Sequence, residues 1–217
     1  MEIRKNVLRE ALNAGKPTLG TRVESTMPYI TEIMASSGKF DYIEFDGEYS
    51  PYTEADLENI CRAAELFYCS TVVKIDRQNF AFKAQRAIAC GAHGLLFADV
   101  YDADDVKEIL KAIRPSTPEG GVFGRPNRRT GINGQGRMAM QDYIRQTEDV
   151  VVMIMVEKTD TVKNLEEICK VPGVDYVAFG FSDYAMNAGL EPASSMDQIN
   201  EVHRYVIDTA KKYNVGH

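Results

Sequence analysis

Residues 150–157 read Val150-Val151-Val152-Met153-Ile154-Met155-Val156-Glu157, and residues 175–183 read Asp175-Tyr176-Val177-Ala178-Phe179-Gly180-Phe181-Ser182-Asp183. Each is an apolar run, rich in β-branched or aromatic residues, that closes on a carboxylate and gives way to a helical pattern. A run of this length without polar alternation is what a parallel strand covered on both faces requires. A carboxylate at the C-terminal end of such a strand faces the mouth of an α/β fold, where ligands bind. Glu157 and Asp183 are therefore the first candidate site residues. Two such groups converging there form an oxygen-only site of the kind that Mg²⁺ or Mn²⁺ prefers.

The same rhythm extends outward along the chain. The pattern predicts a helix over Ile3–Ala14, with Val7, Leu8, Ala11 and Leu12 on one face and Gly15 as its stop. A strand at Pro17–Val23 and a helix at Met27–Ser36 follow, then a strand at Phe40–Phe45 that ends at Asp46-Gly47-Glu48-Tyr49. Thr53 is an N-cap for the next helix, which carries Leu57, Ile60, Cys61 and Ala64 at helical spacing. Further units are Thr71–Ile75 with Phe80–Cys90, and Gly94–Ala98 with Asp102–Ile113. A Gly-, Pro- and Arg-rich loop, Arg114–Arg137, precedes strand five. The helix after strand five is capped by Thr159 or Asp160 and reaches Lys170, strand six ends at Asp183, and Met196–Tyr213 is a long helix.

Six β-then-α units in series imply parallel strands joined by right-handed crossovers. Polar residues end several different strands (Asp46 and Glu48, Lys74, Asp99, Glu157, Asp183), which favours a (β/α)₈ TIM-barrel type over a doubly wound sheet. A full barrel takes about 250 residues, so the 217-residue chain is expected to be a single (β/α)-barrel domain with its last two strands missing, unless Asn214–His217 starts another.

A net charge of −7, with no basic stripe, argues against a nucleic-acid partner. No apolar stretch reaches a membrane-spanning length, and the charged, amphipathic N-terminus is unlike a signal peptide. Cys61, Cys69, Cys90 and Cys169 show no metal spacing; Cys61, Cys90 and Cys169, in helical patterns beside apolar residues, read as buried free thiols, which a reducing cytoplasm fits. His93, in a Gly-Ala-His-Gly turn, reads as structural, and Arg125, Arg128 and Arg129 in the long loop read as a solvated face or a subunit contact, with the length of the loop favouring the contact.

The chain resembles the HpcH/HpaI aldolase family of metal-dependent enzymes that act on 2-oxo acids. The resemblance rests on Ala11–Pro17, Tyr42–Glu48, Gly91–Leu96, the loop from Arg114-Pro115 to Gly124, Val156-Glu157 with Lys163-Asn164-Leu165, and Val174–Asp183, all in colinear order. It implies that Glu157 and Asp183 hold a divalent metal: Mg²⁺ in the first place, Mn²⁺ or Co²⁺ otherwise. It implies an aldol made or broken between pyruvate, or a related 2-oxo acid, and an aldehyde, through an enolate that the metal stabilises. It further implies a homo-oligomer, and Ser182 as an anchor for the substrate carboxylate.

Two departures stand out. The family's Asp-Gly-Glu-His pattern after the second strand reads Asp46-Gly47-Glu48-Tyr49 here, so the acid/base histidine is absent. Tyrosine, with an ordinary pKa near 10, is a poor base at neutral pH, which leaves Asp46, Glu48, Tyr49 or a metal-bound water to move the proton. The family's substrate-gripping arginine on the third strand is Lys74, with Arg77 three residues on and Arg22 in strand one as further anion contacts. Lysine lacks the planar two-pronged grip of arginine, and a strand-end lysine also admits a Schiff-base route. Two other readings stay open: a citrate-synthase-like or citramalyl-type condensation, and a non-catalytic barrel that binds an oxo acid.

Overall fold

The computed structural model describes residues 5–125, 128 and 139–217. In chain order its elements are α1 (Val7–Asn13), β1 (Gly20–Val23), α2 (Pro28–Ser36), β2 (Tyr42–Phe45), α3 (Glu54–Glu65), β3 (Ser70–Ile75), α4 (Phe80–Cys90) and β4 (Gly94–Phe97). There follow α5 (Ala103–Ile113), α6 (Met140–Glu148), β5 (Val151–Val156), α7 (Thr159–Lys163), α8 (Leu165–Cys169), β6 (Tyr176–Phe179), α9 (Phe181–Asn187) and α10 (Pro192–Lys212). They form two compact units, Met1–Ile75 with Asn79–Leu95 and Lys111–Val151, and Asp76–Gln78 with Leu96–Leu110 and Val152–His217.

In the first unit β1, β2 and β3 are parallel neighbours, with Gly20 beside Tyr42 and Tyr42 beside Ser70. The ladder continues at the strand starts, where His93 N–H donates to Thr71 (2.8 Å) and Val151 N–H donates to His93 (3.0 Å). α1 closes this end. The Asn6 side chain accepts from Arg9 N–H and donates to the carbonyls of His93 (2.7 Å) and Asp149 (2.8 Å), so one buried amide caps a helix and ties it to the segments that lead into β4 and β5. Thr53 and Asp56 form the reciprocal capping box of α3. Val23, Ala35, Ile43, Ala64 and Cys69 make a buried cluster between these layers.

His93 is buried and accepts a hydrogen bond from Thr71 N–H at Nδ1 (3.2 Å), as a structural histidine should. All four cysteines are buried and free. Burial pushes the thiols of Cys61 and Cys69 up to about 12 and those of Cys90 and Cys169 up to about 11, so none is a ready nucleophile. Of the loop arginines, Arg125 lies over the Tyr143 ring at 5.0 Å and Arg128 pairs with Glu65, whereas Arg129 lies outside the described residues.

In the second unit β5 and β6 are parallel, with Met153 beside Tyr176 and Val156 beside Phe179. Asp175 fixes this register from both sides, its N–H donating to Val152 O (2.9 Å) and its Oδ2 accepting from Val152 N–H (2.8 Å). Gly216 makes a parallel bridge to Tyr176, so the Asn214–His217 segment does begin to pair beside β6. Strand order is chain order, β1 to β6.

Three elements depart from the sequence reading. α6 was not anticipated: it buries only Tyr143 and Thr147, a stripe too narrow to stand out in a polar segment. The single helix expected after β5 breaks into α7 and α8 at Asn164, whose side chain is drawn to the Tyr101 carbonyl at 3.0 Å. Neither Thr159 nor Asp160 caps it; Lys158 occupies that position without a side-chain bond, and Thr159 N–H donates to Asn187 Oδ1 (2.9 Å). Finally, β6 stops at Phe179 and not at Asp183, because Gly180 turns the chain into α9 after one last N–H donation to Val156.

Candidate active site

Residues paired on neighbouring parallel strands share a face, and every second residue returns to it. Arg22 pairs with Glu44 and Glu44 with Val72, so Arg22, Glu44, Lys74 and, just past β2, Asp46 fall on one face of the first unit. Asp46 is fully buried; its Oδ2 takes the Arg22 guanidinium and its Oδ1 accepts the N–H groups of Glu48 (3.1 Å) and Tyr49 (3.3 Å). These bonds bend the 46–49 turn so that Glu48 Oε2 lies 2.5 Å from Lys74 Nζ and the Tyr49 ring lies under the same ammonium, 5.0 Å from its centroid. The close pair is not aligned as a hydrogen bond, and Glu48 Oε2 accepts none although it is buried. Only glycine fits at Gly47, where a Cβ would come 2.6 Å from the Lys74 carbonyl. Five of the expected site residues, Arg22, Asp46, Glu48, Tyr49 and Lys74, thus form one connected cluster.

Glu44 belongs to that face, and the sequence reading passed over it. Burial pushes its carboxyl above the ordinary 4.5, against the opposing charges of Arg22 and Lys74. The folded chain therefore holds this proton more tightly than the unfolded chain does. The stability tied to it is complete below pH 4.5 and declines as pH rises through the folded value. Glu44→Gln is expected to flatten that decline, so that the variant melts above the wild type at pH 7 and alongside it near pH 4.5. Identical melting curves at every pH would contradict this account of Glu44.

The second unit holds the other group. Glu157, the first residue after β5, is 2% exposed, and its Oε1 accepts the Asp99 N–H at 2.8 Å. Gly180 packs directly on it: a Cβ at position 180 would lie 2.8 Å from Glu157 Cβ and 3.2 Å from Oε2. Gly180 is also the N-cap of α9, whose third residue is Asp183. Asp183 is partly buried, sits where the helix dipole favours an anion, and among the described residues makes no hydrogen bond or ion pair. Ser182, one residue earlier, is exposed.

Arg77 is committed to its own neighbourhood. Its guanidinium forks onto both oxygens of Asp105 (2.7 and 2.9 Å), donates to the Asp99 carbonyl (2.8 Å) and stacks on Tyr101. Lys158 pairs with Asp99 Oδ1 at 2.8 Å. Burial works against the Lys158 charge more than any one neighbour favours it, but the Asp99 hydrogen bond together with the charges of Asp99, Glu157 and Tyr101 holds the ammonium above its ordinary value.

Among the described residues no three His, Cys, Asp or Glu side chains gather as a metal cluster. Two carboxylates nonetheless suit Mg²⁺, which takes one or two from the protein and completes its shell with water and substrate oxygens. The Gly180 cradle against Glu157 adds a steric test. The backbone angles of Gly180 (φ −84°, ψ 80°) lie near the inverse γ-turn that any residue can adopt, so Gly180→Ala acts through its contacts, above all by displacing Glu157, with Met155 Cγ at 3.3 Å as the lesser neighbour. It is expected to weaken Mn²⁺ binding about tenfold with an unchanged circular dichroism spectrum; unaltered affinity would show that Glu157 does not need its present position.

Parallel βα units in chain order, with carboxylates beyond the ends of β5 and β6, define an enzyme built on the (β/α)₈ TIM-barrel type. Comparison with known proteins bears this out. The profile of the HpcH/HpaI aldolase/citrate lyase family matches residues 20–216, and the chain belongs to that family. It is 28% identical over 200 residues to a 2-keto-3-deoxy-L-rhamnonate aldolase of Escherichia coli O17:K52:H18, covering 91% of this chain and 72% of the relative. It is 27% identical over 186 residues to a 4-hydroxy-2-oxo-heptane-1,7-dioate aldolase of Salmonella dublin, covering 85% and 68%. The crystal structure of an HpcH/HpaI aldolase from Desulfitobacterium hafniense DCB-2 superposes with a TM-score of 0.84 at 25% identity, over 96% of this chain and 79% of the other.

Proposed function

We propose that this protein is a divalent-metal-dependent aldolase that makes or breaks an aldol between pyruvate, or a related 2-oxo acid, and an aldehyde. The observation that carries the reading is the buried Glu157 carboxylate, fixed by the Asp99 N–H and backed by Gly180, with Asp183, which has no partner among the described residues, in the helix that Gly180 opens. In this reading Glu157 and Asp183 hold the metal, Mg²⁺ or alternatively Mn²⁺ or Co²⁺. When bound, that ion supplies a Lewis acid at the oxo-acid oxygens, where negative charge develops in the transition state.

The remaining roles follow from what each side chain is already doing. Lys74 and Arg22 offer cations to the substrate carboxylate, with Ser182 as a further hydroxyl anchor; Arg77 is held by Asp105 and Asp99 and is the weaker candidate. Asp46, with Arg22 on one oxygen and two N–H groups on the other, is a holding group. Glu48, buried beside Lys74 and accepting no hydrogen bond at Oε2, is the better proton carrier, and the Tyr49 hydroxyl is the alternative. The four buried thiols fit a reducing cytoplasm. The exposed Met27, Tyr29 and Ile33 around α2 (60, 63 and 47%) fit a homo-oligomer that covers them.

Incubation with pyruvate and Mg²⁺ in D₂O, followed by NMR, tests the reading. Deuterium is expected to enter the methyl group only when metal is present, and borohydride is expected to trap no adduct. Absence of exchange with every 2-oxo acid tried would leave a binding protein instead.

A further inference from the structure

The turn after β4 is held more firmly than a connecting turn needs to be. Asp99 adopts a left-handed backbone (φ +54°), a conformation aspartate tolerates better than most residues but still at a cost. Each of its polar groups is spoken for: N–H to Glu157 Oε1 (2.8 Å), carbonyl to Arg77 (2.8 Å), and Oδ1 to Lys158 Nζ (2.8 Å). The following carbonyls of Val100 and Tyr101 are taken by Thr161 Oγ1 and Asn164 Nδ2, and Tyr101 N–H donates to Asp105. This network keeps the unusual backbone angle in place whatever the Asp99 side chain does.

We infer that Asp99 is a positioning residue for the cation site: its N–H orients Glu157, and its carboxylate holds the Lys158 ammonium away from Glu157. This rests on the proposed metal role of Glu157. Lys158 is the residue next to Glu157, and apart from Asp99 the carboxylate whose charge acts on it is Glu157. Released from Asp99, a flexible ammonium one residue away becomes a resident monovalent competitor for the charge that a divalent ion requires.

The test is Mn²⁺ affinity, read from the electron paramagnetic resonance of free Mn²⁺ and needing no turnover. Asp99→Asn keeps the N–H and the shape and removes the charge. Asp99→Gly keeps the left-handed angle and the N–H and removes the side chain. Both are expected to raise the Mn²⁺ dissociation constant about tenfold, and adding Lys158→Met to either is expected to restore affinity to within about twofold of Lys158→Met alone. A merely structural Asp99 would not be rescued by deleting a lysine. Unchanged affinity in both single variants, or no rescue, overturns the inference while leaving Glu157 as a ligand if Glu157→Gln still abolishes binding. If Glu157→Gln binds Mn²⁺ as tightly as the wild type, the metal reading itself falls and this inference falls with it.

Discussion

Glu157→Gln is expected to reduce Mg²⁺-dependent proton exchange into pyruvate by about a thousandfold or more, with little change in the folded state. The substitution preserves volume, and its amide oxygen can still accept the Asp99 N–H, so the turn after β4 stays anchored. What disappears is a formal negative charge on a side chain that is 2% exposed, where no water can stand in for it. A thousandfold loss corresponds to about 4 kcal/mol of transition-state stabilisation, within the several kcal/mol a Lewis acid supplies. Asp183→Asn should produce a loss of the same kind. Exchange that survives in Glu157→Gln at more than a tenth of the wild-type rate would mean that the negative charge at Glu157 contributes little.

The second large effect is on stability. Lys74 and Glu48 form a buried pair, with side chains 3% and 10% exposed and 2.5 Å apart. Removing one member of such a pair strands the other charge, at a cost of roughly 3–5 kcal/mol. Lys74→Met is therefore expected to lower the melting temperature by roughly 10 °C, at about 2–4 °C per kcal/mol for a chain of this size. The Glu48→Gln/Lys74→Met double variant should recover most of that loss, because neither member of the pair then leaves the other's charge unpaired. Activity should not recover, since both the cation for the substrate carboxylate and the Glu48 proton carrier are missing. A single variant that melts within 1–2 °C of the wild type would show that the pair is hydrated and not a buried ion pair.

Much of this arrangement was legible before any coordinates, because period and position carry it. Apolar runs closing on Glu157 and after Phe45 marked strand ends, and the parity of β1, β2 and β3 places Arg22, Asp46 and Lys74 on one face. Glu44 was as visible as they were, since a charged residue between Ile43 and Phe45 breaks an apolar strand; it was passed over because it is mid-strand. Other features depend on contacts distant in sequence. The break at Asn164 depends on Tyr101, and the end of β6 depends on Gly180 meeting Glu157. The Asp99–Lys158 pair joins residues 59 positions apart, and nothing local in either segment announces it. The left-handed angle of Asp99 is likewise set by the network around the turn.

The most direct test counts cations. Titration of the protein with Mn²⁺, monitored by electron paramagnetic resonance, should show one tight site per chain, tightened further by oxalate as a mimic of the oxo-acid enolate. Glu157→Gln and Asp183→Asn should each abolish it. Tight binding that persists in both variants, or a wild-type chain that binds no Mn²⁺ with or without oxalate, would contradict the account.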